Sequence, residues 1–261
     1  MLFKSIAERK IYAIIRIKGG GKMQEFIWNP WHGCHKYSEG CSNCYVYRRD
    51  DKIGKNASEI TKNKTFDMPI KKNRSGEYKI PDGSTVYCCM TSDFFLEEAD
   101  KWRGEVWDII RCRNNVNFII ITKRIVRFSQ CIPSDWGIGW NNVTVCCTVE
   151  NQRQCDIRLP VFKEAPIKHK IIVCEPLLSE INLEAYLDFN IEKIITGGES
   201  GNQARICKYS WVLDIREQCK RKGIPFYFKQ TGARFEKDGK LYRVLRKYQH
   251  SQARKANINL Q

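Results

Sequence analysis

The sequence predicts an α/β fold, a partial or complete parallel (β/α) barrel, on three observations. From Met23 onward, short β-rich runs alternate with helix-patterned stretches. The runs are almost continuously apolar, as in strands covered on both faces. Six of them in succession end in polar residues, at the face where parallel α/β folds build their sites.

The runs fall at 86–90, 117–121, 143–147, 170–174, 193–196 and 225–228. Helix candidates lie between them at 96–113, 124–131, 152–162, 183–188 and 209–222. In the last of these, Trp211, Ile215 and Cys219 recur at i, i+4 and i+8 beside Val212, so one face is apolar. Gly223 stops that helix and Pro225 opens the next run. Strand–helix alternation at this spacing predicts a parallel sheet with crossover helices. Their carboxyl ends read Thr91-Ser92-Asp93, Thr122-Lys123-Arg124, Thr148-Val149-Glu150-Asn151, Glu175-Pro176, Gly197-Gly198-Glu199-Ser200-Gly201 and Lys229-Gln230. Six such ends predict one shared site.

Three segments stand outside this rhythm. Residues 1–22 form a leader, either upstream of the true start at Met23 or carrying a first strand over 11–17. Residues 51–83 are rich in Lys, Asn and Gly and read as a long solvated excursion. The barrel domain spans 23–235, and 236–261 follows as a basic tail, either a solvated terminus or a backbone-binding arm.

Composition narrows the partners. Lysine plus arginine is 45 against 29 acidic residues, a formal charge of +16. That excess suits nucleic acid, a nucleotide or a phosphorylated metabolite. A chain 42% hydrophobic and 28% charged is not wholesale disordered. No run of roughly eighteen apolar residues predicts a membrane span. Thirteen cysteines include the adjacent pairs Cys88-Cys89 and Cys146-Cys147. Neighbours on a strand point to opposite faces and make poor disulfides, so the chain reads as reduced and cytoplasmic.

Cys34, Cys41 and Cys44 give C-x6-C-x2-C among glycines and short polar residues, a loop setting. Three thiolates on one loop suit an iron–sulfur cube with one iron left open. The alternatives are a zinc knuckle completed by His32 or His35, within a zinc-stabilised nucleic-acid-binding module, and three unrelated core thiols.

Trp28-Asn29-Pro30, Gly33-Cys34, Ser38, Gly40-Cys41 and Asn43-Cys44-Tyr45 resemble the three-cysteine signature of the phage Gp37/Gp68-like (DUF5131) family, a radical S-adenosylmethionine (SAM) group. The resemblance continues through Thr122-Lys123-Arg124, Val149-Glu150-Asn151, Glu175-Pro176-Leu177-Leu178, Gly197-Gly198-Glu199-Ser200-Gly201, Ala204-Arg205 and Phe228-Lys229-Gln230. Within the family the chain is most similar to the queuine lyase group, which releases queuine from queuosine 5′-phosphate. The resemblance implies a radical SAM barrel and a [4Fe-4S] cluster on Cys34, Cys41 and Cys44. It also implies SAM on the open iron, hydrogen abstraction from a ribose, and an electron donor such as flavodoxin or ferredoxin. The alternative substrates are intact nucleic acid and another phosphorylated metabolite.

Within that implied chemistry, charge and position suggest roles. Tyr45, Ser92, Asp93, Lys123 and Glu150 are the expected SAM contacts. Asn29, His32, Glu175, Gly197, Gly198, Glu199, Arg205, Lys229 and Gln230 are the expected substrate contacts, with Arg205 and Lys229 toward a phosphate. Glu150, Glu199 and Lys229 form the expected catalytic set. His169 and His250 read as incidental.

Overall fold

The computed structural model describes residues 24–261. Both readings of the leader concern residues outside that range. In chain order the elements are β1 (Glu25–Trp28), β2 (Trp31–His32), α1 (Tyr45–Asp51), β3 (Thr61–Lys62), β4 (Thr85–Cys88) and α2 (Asp100–Cys112). Then come β5 (Asn117–Thr122), α3 (Phe128–Cys131), β6 (Val143–Thr148), α4 (Gln152–Glu164), β7 (His169–Cys174) and β8 (Ile191–Gly197). The chain ends with β9 (Ile206–Lys208), α5 (Tyr209–Lys222), β10 (Phe226–Gln230), β11 (Arg234–Lys237), β12 (Lys240–Arg243) and α6 (Arg246–Lys255).

Seven strands form one sheet in the order β1-β4-β5-β6-β7-β8-β10, every neighbouring pair parallel. Spatial order follows chain order, so every connection steps the same way. Right-handed crossovers then place the helices on one face. The sheet curls into a half-barrel, the partial form of the expected architecture.

Strand periodicity divides the apolar residues between the two faces. Val86, Phe118, Ile120, Val145, Cys147, Ile172, Ile194 and Phe226 belong to the large core. Tyr87, Ile119, Cys146, Ile171, Val173 and Ile195 form a second cluster, the apolar floor of the other face. Cys146 and Cys147 thus part to opposite faces as expected. Cys88 and Cys89 do not: Cys89 leaves the strand at φ 54°, and both thiols enter the large core.

Four sequence readings need correction. The 183–188 segment holds only a 3-10 turn, Glu184–Tyr186, because its apolar residues lack helical spacing over more than one turn. The sheet's first strand, β1, is four residues long and gave too short a pattern to register. The excursion 51–83 is not wholly solvated, since Ala57, Phe66 and Ile80 are buried and the Ile80 carbonyl accepts from Arg113 Nη2 at 2.7 Å. Residues 236–261 are not a tail outside the domain. β12 hairpins onto β11 through Asp238-Gly239, both at positive φ, a pair suited to a two-residue hairpin turn. α6 packs against β10, and Leu260 exchanges backbone hydrogen bonds of 3.0 and 3.1 Å with Phe226. The helix was illegible because it buries only Gln249 and Ala253 among charged neighbours.

Candidate functional site

The three cysteines lie on one loop. Cys41 ends a 3-10 turn and Cys44 caps α1. All thirteen cysteines are free; nine are buried, Cys112 is exposed, and Cys34, Cys41 and Cys44 share intermediate burial. Among the described residues, no three His, Cys, Asp or Glu side chains close on a point that could hold a metal ion. The expected convergence of the three thiols is therefore not seen. The donor set still fits a soft metal centre in kind: unpaired, partly accessible sulfurs on one loop, with a guanidinium beside the first. Arg124 Nη1 lies 3.6 Å from Cys34 Sγ. Burial and Asp93 push the Cys34 thiol up to about 12, against the opposing pull of Arg124.

Side chains from successive strand ends fasten this loop. Past β4, Ser92 Oγ donates to the Gly33 carbonyl. Past β5, Arg124 Nη2 donates to the His35 carbonyl at 2.8 Å. Past β6, Glu150 Oε1 accepts from the Gly40 N–H at 3.1 Å and from Ser38 Oγ, while Asn151 Nδ2 donates to Glu39 Oε2 at 2.6 Å. Past β8, Glu199 Oε2 accepts from Asn43 Nδ2 at 3.0 Å, and Arg205 Nη1 donates to the Glu39 carbonyl at 2.9 Å. The cysteine loop is thereby laid across the carboxyl ends of the sheet.

Each fastening carboxylate has its own arginine. Glu150 is fully buried, with Oε2 2.8 Å from Nη1 of the equally buried Arg158. Glu199 takes Arg205 in a bidentate pair at 2.6 and 3.0 Å. Asp93 stands 3.5 Å from Arg124 and accepts from Thr122 Oγ1 at 2.7 Å and from the Lys123 N–H at 2.9 Å. Tyr37 lies over the Arg124 and Arg158 guanidinium groups, at 4.8 and 5.4 Å.

Burial alone would raise the Glu150 carboxyl. Lys123, Arg158 and the hydrogen bonds from Ser38 and Gly40 outweigh it and hold the group below the ordinary 4.5. Glu199 is likewise held low, burial being overcome by Arg205 and Asn43. A depressed native value means stability that is present above the unfolded value and lost as pH falls through the native one. Thermal unfolding followed downward from neutral pH should therefore keep a level Tm to about pH 4.5, then decline. Glu150→Gln should reduce the slope of that decline; an unchanged slope would dissociate Glu150 from it.

The remaining predicted residues gather at the far strand ends. Lys229 Nζ lies 2.7 Å from Glu175 Oε2, both half-buried, and Glu175 Oε1 is buried without a hydrogen-bond partner among the described residues. Gly197 and Gly198 permit this packing. A Cβ on Gly197 would stand 2.3 Å from Glu175 Oε1, and one on Gly198 2.2 Å from the Thr231 carbonyl. A side chain can swing away, whereas strand-end backbone resists. Gly198→Ala should thus cost about 1–3 kcal/mol in denaturant unfolding, and Gly197→Ala distinctly less. Equal costs would contradict this reading.

Other predicted residues serve structure directly. His32 Nε2 lies 2.6 Å from the buried Asp50 of α1. Asn29 Oδ1 accepts from the Thr91 N–H at 3.1 Å, Tyr45 OH donates to the Met90 carbonyl, and Gln230 Nε2 to the Gly198 carbonyl at 2.9 Å. His250, read as incidental, has Nδ1 3.0 Å from the Lys229 carbonyl and so braces a site residue. His169 pairs with Glu192. Lys123 is the exception: among the described residues its ammonium has no hydrogen bond or ion pair, yet it stands near enough to Glu150 to lower that carboxyl.

Arg124, Arg158, Asn43 and Asn151 were missed as site residues. Arg158 left a trace. In α4 the buried positions are Cys155, Arg158, Leu159 and Phe162, so a charged residue occupies the apolar stripe. Such a charge needs a buried partner.

A family model described as a protein of unknown function (DUF5131) matches residues 22–258. No curated protein and no solved structure matches the chain. The match covers the cysteine loop, every strand of the half-barrel, the β11–β12 hairpin and α6; the chain belongs to the DUF5131 family.

Proposed function

We propose that the chain is a radical SAM enzyme, with a [4Fe-4S] cluster on Cys34, Cys41 and Cys44, that releases queuine from queuosine 5′-phosphate. The observation that carries the reading is the cysteine loop itself: partly accessible thiols, fastened across the ends of a parallel half-barrel by side chains from four strand ends. With SAM, such a cluster supplies one-electron cleavage of a sulfonium bond and hydrogen-atom abstraction.

The chain's own residues then bind and orient. Among the described residues Lys123 has no anion salt-bridged to it, and it is suited to the carboxylate of SAM. Arg205 is held by a bidentate pair to Glu199 and by the Glu39 carbonyl, so it positions the loop; Lys229 Nζ has, among the described residues, a single contact, to Glu175 Oε2, and keeps ammonium protons for the substrate phosphate. The unpartnered Glu175 Oε1 offers an acceptor to a base N–H. The apolar floor keeps water from the reacting atoms.

The test is an anaerobic reaction with reductant and SAM, offering queuosine 5′-phosphate, the nucleoside or tRNA, and following free base and 5′-deoxyadenosine. The mononucleotide should release base. A charged hydrogen bond to phosphate contributes about 1.5–3 kcal/mol, so the nucleoside should react roughly ten- to a hundredfold less efficiently. Release from tRNA alone would replace the substrate by intact nucleic acid. A colourless, zinc-containing protein would sink the enzyme reading.

A further inference from the structure

We propose a second binding site, outside the strand-end site, for a planar nucleobase with its adjoining phosphate. It is a cavity of about 690 Å³ lined by residues of α5, β10, β11, β12 and α6. Phe228 points into the large core and Lys229 toward Glu175, so the two sites lie on opposite sides of β10.

The walls are aromatic. Phe228 and Phe235 stack at 6.0 Å and 28°, and Tyr209 meets Phe235 edge-on at 5.8 Å. Tyr242 and Tyr248 also line the cavity, each 47% exposed. Exposed rings beside buried ones offer π-faces on which a base can stack.

The charges are all of one sign. Lys237, Arg243 and Lys255 line the cavity; among the described residues no carboxylate lines it and none of the three has an ion-pair partner. Lys237 Nζ sits 5.2 Å over the Tyr209 ring, bringing a cation to an aromatic face. Uncompensated cations around aromatic walls select an anion that carries a π-system. The volume lies within the range of sites for molecules of nucleotide size. A base and its phosphate meet both requirements, whether presented by single-stranded nucleic acid or as a free nucleotide. The site uses no residue of the strand-end machinery and stands whether or not the reaction proposed above is correct.

The test is fluorescence anisotropy of labelled oligo(U) RNA titrated with the full chain, without SAM or reductant, with uridine monophosphate, duplex RNA and oleate as competitors. Tyr242→Ala and Tyr248→Ala should each weaken binding about five- to a hundredfold, the stacking contribution of one base. Tyr242→Phe should retain affinity, a rescue that simple misfolding would not give. Arg243→Gln and Lys255→Gln should each lower the slope of log K against log salt by about 0.7. Arg74→Gln, on the exposed excursion, should change little. Competition by the mononucleotide assigns the site to free nucleotide, and its absence alongside RNA binding assigns it to the polymer; either supports the proposal. No saturable binding, equal weakening by Arg74→Gln, or displacement by oleate alone would overturn it.

Discussion

Replacing Cys34, Cys41 or Cys44 by alanine should abolish iron incorporation and with it all activity. Anaerobically reconstituted wild-type chain should carry about four irons, and each single variant close to none. The loop is pinned through the backbone of Gly33, His35 and Gly40 and the side chains of Ser38 and Asn43, whereas none of its three thiols is locked in a disulfide or a core. Binding would therefore move side chains and leave the pinned backbone in place. The buried cysteines provide the contrast. Cys146→Ala and Cys147→Ala remove core atoms from opposite faces of β6 and should cost stability while leaving the iron content intact. Iron and sulfide analysis with visible absorption decides the matter. A triple variant that retained a full complement of iron would end the assignment.

The half-barrel was legible because its strands are apolar on both faces and its helices carry stripes. The site was legible as a place for the same reason: counting by two along each strand from the floor residues Ile121, Cys146, Val173, Ile195 and Tyr227 leads to Lys123, Glu150, Glu175, Gly197 and Lys229. The roles of the residues were less legible. A carboxylate at a strand end reads alike whether it awaits a ligand or holds a loop. The difference lies in a partner far along the chain, as with Arg158 against Ser38 and Glu150. The C-terminal helix was hidden for another reason. It is secured by burial of Gln249 and Ala253 and by backbone pairing of Leu260, none of which leaves an apolar period.

Breaking the Glu150–Arg158 pair should have the largest effect on stability of any change at the strand ends. Both side chains are fully buried, and Arg158 also donates to the Thr148 carbonyl at 2.7 Å and to Ser38 Oγ at 2.9 Å. Arg158→Leu would leave a buried carboxylate without its countercharge, and Glu150→Leu a buried guanidinium. Either should cost about 3–5 kcal/mol. For a chain of this size each kcal/mol shifts Tm by about 2–4 °C, so a fall of roughly 6–20 °C is expected. Replacing both with leucine should recover much of the loss, because no isolated charge remains. Iron retention should not recover with it. The Gly40 N–H and Ser38 hydroxyl would still lack the carboxylate that fastens them, and the loop between Cys34 and Cys41 would keep only its ties at His35 and Glu39. Stability restored together with full iron content would reduce the pair to core support; stability restored without iron would assign it to holding the cysteine loop.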